Sequence, residues 1–263
     1  MASASLGYGE HKFGQTWAIR ALLALVMLGF LAGMWVSVDD PNPASHPTLL
    51  LISLGVVLAY AGLCVVIGKQ VLTISDQGVR RESMFGEQTI AWSQISETRY
   101  NVTPIQLAAH FGLVGALVSM LSKSSSANLT LTVVAVDGKR IKVNSNFKNA
   151  KEAIGLILSK LVPAWVAAAR AQIGRGETVR FGDLALSATA LTWKKQAPIP
   201  VADLSRAEIV GRYLQVSRTG KWLSAIKVRS DKIPNVLVFL EVLDAIAPQL
   251  KSTGIDPLAR VRV

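Results

Sequence analysis

The chain has 263 residues, of which 51% are hydrophobic and 17% charged, and its formal net charge at neutral pH is +11. Soluble globular chains carry about one-quarter charged residues, so this deficit indicates membrane segments rather than an ordinary soluble domain. The single cysteine, Cys64, excludes a disulfide within the chain and fits a reducing compartment.

Two uncharged apolar runs near the N-terminus predict a transmembrane hairpin over residues 17–68, preceded by a cytoplasmic tail over residues 1–16. The runs are Ala21–Val38, with 18 residues, and Thr48–Ile67, with 20. At about 1.5 Å per helical residue, each covers most or all of a hydrocarbon core of about 30 Å. A cleaved signal peptide is the alternative for the first run, but no clear small-residue cleavage pattern follows it and a second run does.

Charged residues around the hairpin predict its orientation. The basic residues that flank its outer ends are Lys12, Arg20, Lys69, Arg80 and Arg81. The connecting loop carries Asp39 and Asp40 and no Lys or Arg. The positive-inside rule therefore places both termini in the cytoplasm and predicts a multi-pass protein of the cytoplasmic membrane.

The charge is divided unevenly along the chain. Residues 1–68 hold two of the 28 basic and three of the 17 acidic residues, which leaves 26 basic and 14 acidic residues and a net charge of +12 for the remainder. Acidic lipid headgroups attract such a portion by about 1 kcal/mol for each nearby Lys or Arg. A solvated surface that promotes solubility is the alternative. Nucleic acid is not an expected partner, because the basic residues are scattered and lack an aromatic-interleaved stripe.

The part that follows the hairpin contains an internal repeat. Ile141–Pro163 and Ile226–Pro248 align without a gap at an offset of 85, sharing Ile-Lys-Val-x-Ser at the start and proline at the end. Apolar residues in both copies follow one face of a helix. They are Ile154, Ile157, Leu158 and Leu161 in the first copy, and Phe239, Val242, Leu243 and Ile246 in the second. Each copy therefore ends in a strand that leads into an amphipathic helix.

The upstream halves of the repeat match more weakly and indicate an insertion. Leu72–Val79 parallels Leu184–Leu191 at an offset of 112, and Ile90–Ser96 parallels Ile199–Ser205 at an offset of 109. The drop to 85 gives the first copy about 24 extra residues, which correspond to the apolar segment 103–125. Asp137-Gly138 and Thr219-Gly220 are hairpin turn signals within the strand-rich parts.

The repeat resembles the pleckstrin-homology-like fold, and more narrowly the bacterial domains of this kind that adjoin transmembrane hairpins in uncharacterised membrane proteins. The residues that carry the resemblance are "LTISDQGV" and "TIAWSQIS" in the first copy, with Trp92 two residues after Ile90, and "GETVRFGDLALSATAL", "IPVADL" and "IPN" in the second. The second copy departs from the first at Val201, where the first has Trp92. Members of such families share no agreed activity, so the fold implies little about function.

The resemblance implies a membrane-anchored α+β protein of the bacterial inner membrane. Its transmembrane hairpin is followed by two pleckstrin-homology-like β-barrel or sandwich domains, each closed by a C-terminal helix. The predicted domains are residues 69–173, with the helical insertion 103–125, and residues 174–250. A basic tail over residues 251–263 completes the chain.

The sequence holds no pattern typical of an enzyme. The histidines His11, His46 and His110 lie on different segments, and no pair has metal-ligand spacing. No complete phosphate-binding or dinucleotide-binding loop is present. We therefore expect no catalytic residues, no metal and no cofactor.

Paired basic residues follow the first strand of each copy: Arg80 and Arg81 in the first, Lys194 and Lys195 in the second. Bases in this early hairpin bind phosphorylated lipid headgroups in eukaryotic pleckstrin-homology domains, so the resemblance implies contact with acidic lipid. The alternative is an exposed strand that uses charge to prevent edge pairing.

The insertion reads as a helix that starts at Thr103, with Pro104 in its first turn. Small residues share one side of it, namely Ala108, Gly112, Gly115 and Ser119. If the strands before and after it belong to one small sheet, they cannot pair from opposite sides of a bilayer, which argues against a third span. It lies against the spans or the membrane interface, forms a subunit contact, or is a core helix. Gly29 and Gly33 in the first span form a GxxxG pattern that suits close helix packing.

These features predict a non-catalytic scaffold or recognition module that is held at the membrane and binds a protein partner or acidic lipid headgroups. The alternative is a subunit of an oligomeric membrane complex that moves lipid or solute, with the insertion as part of the assembly. A hydrolase whose site the sequence does not reveal is a third, weaker hypothesis. Expected partners are membrane lipid and either another protein or further copies of this chain.

Overall fold

The computed structural model describes residues 10–15, 17–36, 47–68, 70–104, 127–250 and 261–262. Within them the helices are α1 (Trp17–Val36), α2 (Pro47–Gly68), α3 (Ala150–Gly174) and α4 (Val236–Ile246). The strands are β1 (His11–Gly14), β2 (Val71–Ile74), β3 (Gly78–Ser83), β4 (Gly86–Ala91), β5 (Ile95–Pro104), β6 (Ala127–Ala135), β7 (Arg140–Asn144), β8 (Val179–Phe181), β9 (Leu184–Leu186), β10 (Ala190–Trp193), β11 (Ile199–Pro200), β12 (Leu204–Val210), β13 (Tyr213–Arg218), β14 (Ser224–Arg229) and β15 (Val261–Arg262). The α+β class predicted from the sequence is confirmed.

The strands form four open sheets among the described residues. Their orders are β1-β2-β3-β4, β5-β6-β7, β11-β10-β9-β8 and β14-β13-β12-β15. In none of them does the first strand pair with the last, so the described residues form no closed barrel, and the barrel form of the predicted fold is not supported. Most strands pair with their neighbours in sequence, and each sheet keeps two edge strands.

The chain divides into two compact units. The first comprises the described residues up to Thr89 together with Asn146–Asn149, and the second comprises the described residues of Ile90–Ser145 and those from Ala150 onward. The domain boundaries predicted from the repeat, at 69, 173 and 250, remain predictions.

In the first unit, the helix pair α1 and α2 is inserted between two neighbouring strands. β1 precedes the pair and β2 follows it, yet the two strands lie antiparallel with His11 opposite Ile74 and Gly14 opposite Val71. Phe13 and Leu72, which stand opposite each other, are buried. The segment predicted as an N-terminal tail therefore contributes a strand and a core residue to the first sheet.

Most side chains described on the helix pair are exposed. Large apolar residues are among them, including Leu25, Phe30, Leu51 and Leu58. Among the residues that the structure describes, two helical segments are long and apolar enough to span a membrane, judged by length and composition alone. They are Pro47–Val65, which is part of α2, and the whole of α3. The described apolar part of α1, Ala24–Val36, is shorter.

The second unit contains the sheet β5-β6-β7, which leads into α3. The predicted hairpin at Asp137-Gly138 is confirmed, since β6 and β7 pair across it. The four apolar residues predicted on one face of α3 are all buried. In α4, three of the four predicted face residues are buried and Ile246 is partly exposed. Each helix begins directly after an asparagine in the left-handed conformation, Asn149 with φ 56° and Asn235 with φ 53°.

The predicted start of the insertion helix is wrong. Thr103 and Pro104 are the last two residues of β5, where they pair with Asn128 and Ala127 of β6. The antiparallel pairing of β5 with β6 continues as far as these residues. A proline is tolerated there because, at the end of a strand, its missing N–H costs little. The remainder of the insertion, with Ala108, Gly112, Gly115 and Ser119, lies outside the described residues.

Candidate functional site

Three polar side chains meet where the helix pair joins the first sheet. Gln15 lies between β1 and α1, Gln70 lies between α2 and β2, and Arg81 belongs to β3. Gln15 Nε2 donates to Gln70 Oε1 at 2.8 Å, and Arg81 Nη2 donates to the same oxygen at 3.0 Å. We call Gln15, Gln70 and Arg81 the base cluster.

The strand register explains why Arg81 faces inward. Phe13, Leu72 and Arg81 stand opposite one another across β1, β2 and β3. Side chains opposite one another share a face, and successive side chains alternate between faces. Arg81 therefore shares the face of the buried Leu72 and Val79, whereas Arg80 points to the other face.

The charge of Arg81 is not compensated within the described chain. No carboxylate among the described residues lies within 4 Å of it, and its Nε is buried without a hydrogen-bond partner. Gln15 Oε1 is likewise buried without a partner. A guanidinium offers five donors in a planar fork that matches carboxylate or phosphate, and an unpaired, partly buried charge is costly. The Arg81 guanidinium therefore gives the base cluster positive charge and donors for an anion, whereas the Gln15 oxygen is an acceptor and contributes nothing to it.

Arg80 has a different environment from its neighbour. Its Nη2 lies 2.9 Å from Glu82 Oε1 and 2.8 Å from Glu87 Oε2, and all three side chains are about half exposed. Two carboxylates thus surround one guanidinium on the outer face of the sheet. Of the two adjacent arginines predicted as headgroup ligands, only Arg81 has a charge available to an anion.

The second predicted basic pair lies in the turn after β10, in the second unit. Lys194 adopts a left-handed conformation with φ 53°, and its amide donates to the carbonyl of Asp183 at 2.9 Å. Its Nζ lies 5.1 Å from the centre of the Trp193 ring and 4.0 Å from Asp183 Oδ2. Lys195 is exposed. Each basic pair is thus part of its own unit, and Lys194 is partly neutralised.

The glycines predicted for helix packing, Gly29 and Gly33, lie on α1. A Cβ built at Gly29 or at Gly33 would meet no heavy atom within 4 Å. Packing or assembly through these glycines remains a prediction.

Sequence reasoning missed an exposed apolar site at the tip of the β13–β14 hairpin. Trp222 and Leu223 are 92% and 62% exposed there. The available signal was a tryptophan placed just after the Thr219-Gly220 turn, where a hairpin turn is normally polar.

The residues that the structure describes contain no group of three or more His, Cys, Asp or Glu side chains able to hold a metal ion. The chemistry available at Arg81 in the base cluster is hydrogen bonding and charge pairing to an anion.

The comparison with known families gives one result. A family model described as a family of unknown function, DUF6585, matches residues 1–251. A search of curated proteins found no match. The match covers the helix pair and the described part of the chain up to Leu250.

Proposed function

We propose that this chain, which belongs to the family of unknown function DUF6585, is a non-catalytic, membrane-anchored recognition module whose base cluster binds the phosphate of an acidic lipid headgroup. The observation that carries the proposal is the uncompensated, partly buried guanidinium of Arg81 at the foot of two exposed apolar helices.

The helix pair is the proposed anchor, crossing the cytoplasmic membrane twice. The exposure of its large apolar side chains supports this, because a contiguous apolar surface of this size is costly in water. The pairing of β1 with β2 also supports it, since strands of one sheet cannot lie on opposite sides of a bilayer. The start of α1 and the end of α2 would then face the same compartment, as a hairpin requires.

The helix α3 passes the same test of length and composition, but we assign it to the cytoplasmic part. Nine of its 25 residues are buried, and they include the predicted apolar face. A helix with one buried face and one polar face is typical of a domain core.

We further propose two tandem pleckstrin-homology-like domains in the cytoplasmic part. Antiparallel strands run into α3 in one and into α4 in the other, and each helix follows a left-handed asparagine. These shared features support a duplication. Their open sheets argue for a layered rather than a barrel form.

The position of Arg81 suits a headgroup ligand. An anchor that crosses the membrane next to Gln15 and Gln70 brings the base cluster to the level of the lipid phosphates. Acidic lipids would then supply the partner that the guanidinium lacks, and the net charge of +12 beyond residue 68 favours an acidic membrane surface.

The test measures bound lipid on the full chain in mild detergent. Native mass spectrometry would count phosphatidylglycerol and phosphatidylcholine molecules retained by the wild type, Arg81→Gln and Arg80→Gln. We expect Arg81→Gln to lose most bound phosphatidylglycerol, because it removes the unpaired charge. Arg80→Gln makes the same change on the opposite face, where two carboxylates already neutralise the charge, so it should retain the lipid.

Arg81→Lys keeps the charge but not the planar fork, and we expect it to retain an intermediate amount of phosphatidylglycerol. The proposal is wrong if Arg81→Gln and Arg80→Gln retain as much phosphatidylglycerol as the wild type.

A further inference from the structure

The β13–β14 hairpin presents an apolar tip to solvent. We call Thr219–Leu223 the tryptophan tip. Within it Trp222 is 92% exposed and Leu223 62%, and Lys221 is exposed as well. The amide of Lys221 donates to the carbonyl of Arg218 at 3.1 Å, which closes the turn and directs the following residues outward.

The hairpin that carries the tip is well anchored in the second unit. Leu214, Val216 and Ile226 are buried, and the ladder between the two strands continues to the pair Ser217 and Ser224. The tryptophan tip lies beyond the last paired residues of the two strands, and Trp222 and Leu223 are exposed rather than packed against this core. A rigid hairpin therefore holds a large aromatic side chain in water, where turns normally carry polar residues.

The exposed cation beside the tip is Lys221, since Arg218 is paired and Lys227 and Arg229 lie toward the far end of the hairpin, opposite Gln215 and Tyr213. The segment from Arg218 to Arg229 contains four basic residues and no acidic one. Arg218 is paired with Asp203 at 2.9 Å, and Arg229 with Asp231 at 2.6 Å. Lys221 has no carboxylate within 4 Å among the described residues. An unpaired lysine thus adjoins the two exposed apolar side chains.

We infer that the tryptophan tip inserts into the interface of an acidic bilayer. Trp222 is suited to the headgroup level, where tryptophan is enriched, and Leu223 to the start of the acyl chains. Lys221 faces the acidic headgroups there. The inference rests on the proposed function, because an anchored chain holds the tip close to the membrane at high effective concentration, and even a weak contact then forms.

The test uses the full chain in nanodiscs, with Cys64→Ser as background. A polarity-sensitive fluorophore is attached at Leu223→Cys, which leaves Trp222 in place. The control label is at Tyr213→Cys, at the opposite end of β13, about 17 Å away at 3.3 Å per residue. Discs contain phosphatidylcholine alone or with phosphatidylglycerol, and a quencher is carried either on the acyl chains or, as iodide, in water.

We expect the label at position 223 to shift to the blue and to be quenched from the acyl chains in acidic discs, whereas the label at position 213 responds only to iodide. Lys221→Glu should abolish the acyl-chain quenching at position 223. If the two labels respond equally to iodide in acidic discs, the inference is wrong, and the tip faces water or a protein partner. A chain that fails to enter discs at all would instead contradict the proposed anchor.

Discussion

At the scale of single residues, Asn235 connects two elements that are far apart in the sequence. Its side-chain Oδ1 accepts from the backbone N–H of Thr98 at 2.7 Å and from Thr98 Oγ1 at 3.2 Å. The backbone N–H of Asn235 donates to the Thr98 carbonyl at 2.8 Å. Thr98 is buried in β5, and Asn235 immediately precedes α4. One side chain therefore fixes the start of α4 against the β5-β6-β7 sheet.

We predict that Asn235→Ala destabilises the chain by about 2–5 kcal/mol. It leaves a buried amide unpaired, which costs about 1–3 kcal/mol, and it places alanine at φ 53°, which costs about 1–2 kcal/mol. Urea unfolding of the detergent-solubilised chain, followed by tryptophan fluorescence, measures the loss. Asn235→Gly removes the side chain without the conformational cost and should be less destabilising. Equal stability of all three proteins would contradict the proposed role of this side chain.

Gly182, in the turn between β8 and β9, offers a second residue with a matched control. It adopts φ +65°, and a Cβ there would lie 2.8 Å from Cδ of Pro234. Gly211, between β12 and β13, adopts φ +56°, but a Cβ there would meet nothing within 4 Å. At both positions the positive φ disfavours any residue with a side chain. Only at Gly182 would the added Cβ also clash with a neighbouring residue.

We predict that Gly182→Ala lowers the free energy of unfolding by more than Gly211→Ala does. Both substitutions cost about 1–2 kcal/mol in conformation, and Gly182→Ala adds about 1–3 kcal/mol for the contact with Pro234. The same urea titration measures both variants. Equal effects at the two positions would mean that the chain relaxes around Pro234 without cost.

At the scale of elements, β1 shows a contact that the sequence did not predict. The sequence "HKFG" is four residues long and carries no alternation strong enough to predict a strand. Its pairing partner, β2, begins more than 50 residues later, after both apolar helices. The helices themselves were predicted from composition alone, because a long uncharged run is a local signal, whereas strand pairing across an insertion is not.

Phe13 tests whether β1 holds the first unit together. It is 6% exposed and stands opposite Leu72. We predict that Phe13→Ala destabilises the first sheet by about 3–5 kcal/mol, as expected for a buried aromatic residue. Hydrogen exchange of the β2 amides, measured by mass spectrometry, should accelerate.

Lys12→Ala is the control for this prediction. Its side chain is exposed beside Glu10 on the other face, and exposed substitutions stay within about 0.5 kcal/mol. Exchange in β2 should then match the wild type. If Phe13→Ala leaves the exchange of β2 unchanged as well, β1 does not stabilise the sheet.

The candidate site was predictable only in part. The sequence showed that Arg80 and Arg81 are adjacent, but not which of them faces the interior of the sheet. The sequence identified Arg80 and Arg81 as a pair, but adjacent strand residues point to opposite faces. Which face is the inner one depends on Phe13 and Leu72. The hydrogen-bond partner of Arg81 is Gln70, whose side-chain oxygen also accepts from Gln15. The glutamines come together only through the fold, since 55 positions separate them.

At the scale of the whole molecule, we propose that both ends of the helix pair lie on the cytoplasmic side of the membrane. The basic residues flank the helix pair, and the acidic Asp39 and Asp40 lie between its helices. Independently, β1 and β2 pair across the insertion, which requires both ends of the helix pair on one side. The cationic remainder of the chain, at +12, would then face the acidic inner leaflet.

This topology predicts opposite accessibility for two introduced cysteines. In a Cys64→Ser background, Ser45→Cys, which lies in the sequence between α1 and α2, should react with a membrane-impermeant maleimide on intact bacterial cells. Tyr213→Cys, which replaces an exposed residue of the second unit, should react only after the cells are permeabilised, since the positive-inside rule retains the basic part in the cytoplasm. Labelling at position 213 in intact cells with protection at position 45 would reverse the orientation. Protection of both before permeabilisation and reaction of both after it would mean that the helix pair does not cross the membrane, because a hairpin that crosses must expose its loop on the far side.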